Sequence, residues 1–108
     1  MQADKIFEAL ASTPRRQILA YLSQAQLTTS ELAARFSMSA PAISRHLAVL
    51  ENAGLVSSER KGQFVLYRLH PDNLVNTLNN FAFEICPVGR ALKRESAQLA
   101  AHAETTGP

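Results

Sequence analysis

The chain has 108 residues, 46% of them hydrophobic, and its 11 Lys and Arg against 9 Asp and Glu give a formal net charge of +2. This composition is too apolar for an intrinsically disordered protein, and the length fits one domain with a modest core, which oligomerisation would stabilise. No apolar run reaches the roughly 20 residues of a membrane span, no signal peptide is visible, and the single cysteine excludes an intrachain disulfide, so we expect a cytoplasmic protein with no membrane partner.

Two helices are predicted near the N-terminus. The first spans Asp4 to Ala11, where apolar residues recur at helical spacing. Its apolar side chains are Ile6, Phe7 and Leu10. Residues 12–14 interrupt the pattern, with Thr13 as the expected N-cap and Pro14 at the first helical position, where a missing N–H costs no hydrogen bond. The second helix then extends to about Ser23.

The following segment carries the capping pattern of two more helices. Thr28 and Glu31 fit a capping box, in which each side chain bonds the other residue's backbone N–H. Ser39 follows a short turn and is expected to cap a helix over residues 40–52. The core face of that helix is formed by Ile43, Leu47 and Leu50. Gly54 is expected to end it, because glycine readily adopts the left-handed conformation found after helix C-termini.

Two strand-like runs come next, Leu55 to Arg60 and Phe64 to His70, and both are rich in Val, Leu, Phe and Tyr. Residues 61–63 supply the turn, with Gly62 able to take a positive φ. The helix, turn, helix and hairpin together predict a mostly α fold with a small β-hairpin wing, which is a winged helix-turn-helix. The predicted order is α-α-α-α-β-β-α with a C-terminal helical extension.

A further helical region starts at Pro71 and carries an apolar stripe. The stripe consists of Leu74, Leu78, Phe81 and Ile85. With Ile6, Phe7 and Leu10 it is expected to form the seam of a homodimer, the alternatives being core or a ligand pocket. Cys86 to Gly89 interrupts the pattern, a helix from Arg90 to about His102 follows, and residues 104–108 form a tail. We therefore expect one domain over residues 1–108, with a DNA-binding core at about 4–70 and dimerisation helices at about 72–103.

Three groups of residues, polar except for the small apolar Ala40 and Pro41, are candidate DNA contacts, since this fold places a helix N-terminus and a hairpin tip against a duplex. On the 40–52 helix and its cap they are Ser39, Ala40, Pro41, Ser44, Arg45 and His46. At the start of the preceding helix they are Thr29 and Ser30, and at the wing they are Arg60, Lys61 and Gln63. Arginine can bond guanine bidentately, whereas the hydroxyl and wing residues suit phosphates. The alternatives are solvated surface, capping alone, and charges that protect a hairpin edge.

Cys86 has two interpretations. A lone thiol is usually a small buried hydrophobe, but this one lies at the end of the expected dimer helix, where the thiols of two subunits could form a disulfide, so a redox role stays open. The spacing of Cys86, His70 and His102 matches no zinc pattern. We therefore expect no metal and no cofactor.

The sequence resembles the ArsR family of bacterial winged-helix repressors. Ala9 to Leu19 looks like the N-terminal signature of that family, and Ser39 to Val56 looks like its recognition helix and the turn into its wing; the resemblance covers roughly residues 4 to 85. It implies a homodimer built from the first and last helices, an imperfect inverted-repeat operator in double-stranded DNA, and release by an effector. The segment Leu32 to Phe36 lacks the cysteines of metal-sensing members, so the resemblance leaves the effector unknown.

The most direct functional prediction is a homodimeric, sequence-specific DNA-binding repressor. The alternative is a winged helix that contacts other proteins and has no specific DNA binding, which Arg45 and Lys61 argue against. An enzyme is not expected, because the sequence contains no glycine-rich phosphate loop and no recognisable nucleophile–base arrangement.

Overall fold

The computed structural model of the protein describes residues 2–86. Within that range the helices are α1 (Gln2–Leu10), α2 (Thr13–Leu22), α3 (Thr29–Arg35), α4 (Ala40–Asn52) and α5 (Pro71–Ile85), and the strands are β1 (Leu27–Thr28), β2 (Val56–Lys61) and β3 (Phe64–Leu69). The winged helix-turn-helix fold is confirmed. The helix and tail expected after Gly89 lie outside the described residues. None of the helices in residues 2–86 is long and apolar enough to cross a membrane.

The cap of α2 lies one residue earlier than predicted. Ser12, not Thr13, has the extended backbone of an N-cap, and its hydroxyl oxygen accepts the Arg15 N–H at 3.4 Å. Thr13 therefore begins the helix and Pro14 takes its second position, which still requires no intrahelical N–H bond. Both residues have a hydroxyl, so the sequence pattern alone does not distinguish them.

The caps of α3 and α4 are as predicted. Glu31 accepts the Thr28 N–H at 2.9 Å and donates its own N–H to the Thr28 hydroxyl at 3.2 Å. The hydrogen bond from the Thr28 backbone N–H is the main cause that lowers the pKa of the Glu31 carboxyl, so the bond favours the ionised carboxylate that the capping box uses. The Ser39 hydroxyl accepts the Ala42 N–H at 3.3 Å.

The C-terminus of α4 has the hydrogen-bond pattern of a Schellman motif. Gly54 has a φ of 76° and donates its N–H to the Glu51 carbonyl, while the Leu55 N–H bonds the Leu50 carbonyl, both at 3.0 Å. Leu50 and Leu55 are fully buried, which supplies the apolar contact that accompanies such ends. This turn directs the chain from α4 into the wing.

The sheet has three antiparallel strands in the order β1-β3-β2, one more than the sequence predicted. The additional strand β1 pairs Leu27 with Tyr67 and Thr28 with Leu66, and so joins the start of α3 to the wing. The hairpin pairs Lys61 with Phe64, which leaves a two-residue loop with a positive φ of 62° at Gly62. Positive φ at the first loop position is what a type II′ hairpin turn requires.

The core contains buried residues from each of α1, α2, α3 and α4 and from the sheet. Its largest fully buried side chains are Ile6, Ile18, Leu32, Ile43, Leu47, Leu50 and Leu55. The predicted core face of α4 is therefore confirmed. Residues up to Leu74 form one compact unit, which does not include residues 75–86.

Candidate nucleic-acid interface

The N-terminal half of α4 exposes small and basic side chains. Ala40, Pro41, Ser44 and Arg45 are exposed, while Ile43 and Leu47 between them are fully buried. Arg45 makes no hydrogen bond or ion pair within residues 2–86, so its guanidinium keeps all of its donors. The exposed Ser39 hydroxyl oxygen accepts the Ala42 N–H as the helix cap, and its own O–H stays available to donate to a phosphate oxygen. The side chains of this surface are small enough for the helix to approach a groove, and Arg45 is the one long cation among them.

His46, predicted as a DNA contact, is half-buried against another part of the molecule. Its Nδ1 lies 3.4 Å from Nη1 of Arg15, at the start of α2. Arg15 in turn donates from Nε to the Ala9 carbonyl at 2.7 Å and from Nη2 to the Glu8 carbonyl at 3.0 Å. Burial, together with the charges of Arg15 and Arg45, lowers the pKa of His46. A neutral His46 can accept the Arg15 N–H, so this side chain links α4 to the α1–α2 corner.

The start of α3 is divided between structure and surface. Thr29 is half-buried, and its side chain hydrogen-bonds the Tyr67 phenol of β3. Burial raises the pKa of Tyr67 and the Glu51 carboxylate adds to the shift, while the Thr29 bond opposes it. Ser30 is exposed. Of the two predicted phosphate contacts, Ser30 has the freer hydroxyl, because that of Thr29 already bonds the sheet.

The wing tip places its charges on both faces of the hairpin. Arg60, Lys61 and Gln63 are all exposed. Arg60 pairs with Val65, on the face that Tyr67 and Leu69 pack against the core, whereas Lys61 pairs with Phe64 on the opposite face. The Lys61 Nζ lies 3.9 Å from a Glu59 oxygen, with both side chains more than half exposed, so this ion pair holds Lys61 only weakly.

Phe64 is a wing residue that sequence reasoning missed. Its side chain is 61% exposed beside Lys61 at the tip of the hairpin. The sequence pattern places Phe64 at the start of a strand and assigns its side chain no separate role. A large aromatic side chain directly after a two-residue turn is the signal that could have identified it.

The residues predicted for the dimer seam differ in exposure. Ile6 has no accessible surface and belongs to the core, so it leaves nothing for a second subunit to cover. Phe7, Leu10 and Leu74 are half-buried. On α5, Leu78 is 40% exposed, Phe81 42% and Ile85 59%, and Val75, which the prediction did not include, is 51% exposed. The surface available to a partner therefore lies mainly along α5.

Cys86 directly follows α5, is exposed, and donates its N–H to the Ala82 carbonyl at 2.9 Å. It is therefore not the buried hydrophobe of the structural interpretation. In the part of the chain that the structure describes, no three His, Cys, Asp or Glu side chains come together as a metal site would require. His102, one of the three residues considered for a metal, lies outside that part.

Comparison with known proteins gives consistent matches. A family model described as bacterial regulatory protein, arsR family, matches residues 13–58. The transcriptional repressor SdpR of Bacillus subtilis is 37% identical over 76 residues, which are 70% of this chain and 84% of that protein. The transcriptional activator HlyU of Vibrio cholerae is 39% identical over 64 residues, 59% of each chain. The solved structure of an ArsR-like transcriptional regulator from Rhodococcus sp. RHA1 is 31% identical, covers 96% of this chain and 92% of its own, and superposes with a TM-score of 0.73.

Proposed function

The chain belongs to the arsR family of bacterial DNA-binding transcriptional regulators, and we propose that it acts as a homodimeric repressor that binds an inverted-repeat operator and is released from it by an effector. The observation that carries the proposal is the outward-facing Arg45 on α4, on a surface of small side chains, in a fold whose wing tip is also basic. Membership of a family of regulators also argues against the alternatives of an enzyme and of a winged helix that contacts only proteins.

The two basic elements have separate roles in this proposal. Arg45 on α4 enters the major groove and reads a base edge, because its guanidinium is unpaired and its helix neighbours are small. Arg60 and Lys61 contact phosphates from the wing and set the register without reading sequence. Ser30 and Ser39 add phosphate contacts from helix starts.

Dimerisation is supported by the exposed apolar residues of α5. Leu78, Phe81 and Ile85 are three and four residues apart, so they follow one side of the helix, and each has 40–59% of its surface exposed. Soluble monomers rarely leave such a row uncovered. A two-fold dimer also doubles the modest basic excess of each chain, and its symmetry requires an operator with two inverted half-sites.

The similarity to SdpR, which is named a repressor, supports repression as the mode of regulation. The similarity to HlyU, which is named an activator, supports activation as the second mode. A reporter driven by the operator-bearing promoter distinguishes the two modes. Deletion of the protein should raise expression of the reporter. A fall in expression would make the protein an activator and would leave its DNA binding intact.

Fluorescence anisotropy with labelled DNA from the region upstream of the protein's own gene tests the DNA-binding part. Arg45→Ala should weaken operator binding by about 1–3 kcal/mol and relax preference at one base position. Lys61→Ala should weaken all sequences similarly and lower the slope of log affinity against log salt by about one. Lys5→Ala, which removes an exposed cation from α1, is the control. If the Arg45 and Lys61 variants bind as well as the control, the proposed DNA-facing surface is wrong.

Cys86 offers a redox route for the release step. Its thiol is exposed directly after the helix proposed to form the dimer, and two such thiols can pair only if their Cα atoms come within about 7 Å. Operator affinity of reduced and peroxide-treated protein is the measurement, with Cys86→Ser as the matched variant. Loss of binding in the native protein alone supports sensing by this thiol. Equal binding in both states excludes that role.

A further inference from the structure

A pocket away from the DNA-facing residues lies between α2 and the end of α3. Its volume is about 350 Å³, and its lining residues are Gln17, Ala20, Tyr21, Gln24, Arg35 and Phe36. Ligand pockets in proteins start at roughly 300 Å³, so the space suits a molecule the size of one substituted ring. All six residues belong to the compact unit that carries the helix-turn-helix.

Two aromatic side chains form the apolar wall of this pocket. The Tyr21 and Phe36 rings meet edge to face, with centroids 5.6 Å apart and an interplanar angle of 84°. Phe36 packs against the core, whereas Tyr21 stays 37% exposed. A fixed aromatic corner with one open ring favours a planar apolar group that can stack on it.

Arg35 supplies a cation at the same wall. Its guanidinium carbon lies 5.7 Å from the Tyr21 ring centroid, and its Nη1 donates to the Glu31 carbonyl at 2.7 Å. The Glu31 carboxylate is itself bonded to the Thr28 N–H, and within residues 2–86 Arg35 forms no ion pair. The guanidinium is thus held in place by a carbonyl oxygen and a ring; the Glu31 carboxylate attracts it but forms no ion pair with it, so its other N–H groups remain available to a ligand carboxylate.

The remaining lining residues include no acidic group. Gln17, Tyr21 and Gln24 are spaced so that they lie along one side of α2 and its C-terminal turn, which adds amide donors and acceptors opposite Arg35. The planar fork of arginine matches a carboxylate bidentately. A ring to stack on Tyr21 and a carboxylate to meet Arg35 are the two complementary features that this pocket selects.

We propose that this pocket binds a small aromatic carboxylate, and that the bound ligand changes operator affinity. The second half rests on the proposed function. The same seven-residue helix that ends at Arg35 begins with Thr29 and Ser30, so a ligand wedged between α2 and the end of α3 alters the position of the phosphate-contacting end. A ligand of this kind would be the effector that the family resemblance leaves undefined.

Titration of the ¹⁵N-labelled full-length protein with benzoate, followed by amide chemical shifts, tests the binding half. Shifts should concentrate at Tyr21, Gln24 and the residues around Arg35. Benzamide, the neutral analogue, and Arg35→Gln with benzoate should each bind about tenfold or more weakly, because a charge-assisted hydrogen bond is lost. Lys5→Gln removes the same charge outside the pocket and should bind benzoate as the native protein does. Absence of saturable shifts, or equal affinity in Arg35→Gln, overturns the site.

Operator anisotropy with and without saturating benzoate tests the regulatory half. A several-fold change in operator affinity for the native protein, absent in Arg35→Gln, supports it. Benzoate binding with unchanged operator affinity overturns the coupling and leaves the site. If the protein without ligand fails to bind its operator, the proposed function fails instead, while the chemical-shift result on the pocket stands.

Discussion

Replacement of Arg15 with alanine tests how the recognition helix is held. The Arg15 side chain donates to the Ala9 and Glu8 carbonyls at the end of α1 and approaches His46 on α4. It therefore connects the consecutive helices α1 and α2 with α4, which is distant in sequence. The variant should lose this connection without creating a large cavity, because Arg15 is only half-buried.

The expected loss of stability follows from those contacts. A hydrogen bond from a charged donor contributes roughly 1.5–3 kcal/mol when desolvated, and solvent screening at a half-buried site lowers this to about 1 kcal/mol for each carbonyl. The longer 3.4 Å contact with His46 adds about 0.5 kcal/mol. Arg15→Ala should thus lower the free energy of unfolding by about 2–3 kcal/mol, a large share of the roughly 5–15 kcal/mol of a typical domain.

Urea unfolding of Arg15→Ala, His46→Gln and the double variant measures both the loss and the coupling. The cycle should give a coupling energy of about 0.5 kcal/mol between the two side chains. Arg16→Ala is the matched control, since the neighbouring guanidinium bonds Leu10 and Thr13 from an exposed position and does not contact α4. If Arg15→Ala costs no more than Arg16→Ala, or if the coupling is zero, the link between α4 and the α1–α2 corner does not stabilise the fold.

Three further predictions concern pH, the α4 terminus and the dimer. Burial, Arg15 and Arg45 lower the pKa of His46 below its ordinary 6.5, so the unfolded chain binds a proton before the folded protein does, and the free energy of unfolding should fall as pH drops below 6.5. Urea midpoints should show a smaller loss in His46→Gln, whereas a gain in stability on acidification would contradict the predicted direction. Gly54→Ala should lower stability by about 1–2 kcal/mol, because φ is 76° there, and an unchanged melting temperature would contradict that cost. Phe81→Glu should convert the proposed dimer to monomers, as measured by sedimentation, and should weaken operator binding. Asn80→Glu places the same charge at an exposed neighbouring position and should do neither, and a dimer that survives Phe81→Glu would place the seam elsewhere.

The parts of the fold that depend on local chemistry were predictable from the sequence. The Thr28–Glu31 box, the Ser39 cap and the Gly54 terminus each use side chains within a few residues of the backbone groups they serve. Strand β1 was not predictable in this way. Two residues have no measurable alternation, and Leu27 and Thr28 become a strand only because β3 lies alongside them.

The site shows the same division, and the half-buried position of His46 follows from helical geometry. At about 100° per residue, His46 lies about 60° from Ile43, at the edge of the buried stripe, whereas Arg45 lies about 160° from Ile43, on the opposite side. Spacing alone therefore separates an edge position from an outward one. It does not identify the partner, because Arg15 reaches His46 only after α1 and α2 have packed on α4.

The exposure of its side chains limits the number of base contacts that α4 can make in the proposed complex. The side chains that face away from Ile43, Leu47 and Leu50 are small in the N-terminal half of the helix, and Arg45 is the long polar one among them. Because His46 lies beside Arg15, Arg45 is the one long side chain of this helix that we propose to contact a base edge in each half-site. Discrimination between operators must then rely on the spacing of the two half-sites in the dimer and on DNA shape at the wing, where Arg60, Lys61 and Phe64 are exposed. A change of one or two base pairs in half-site spacing should therefore reduce affinity more than most single-base substitutions within a half-site.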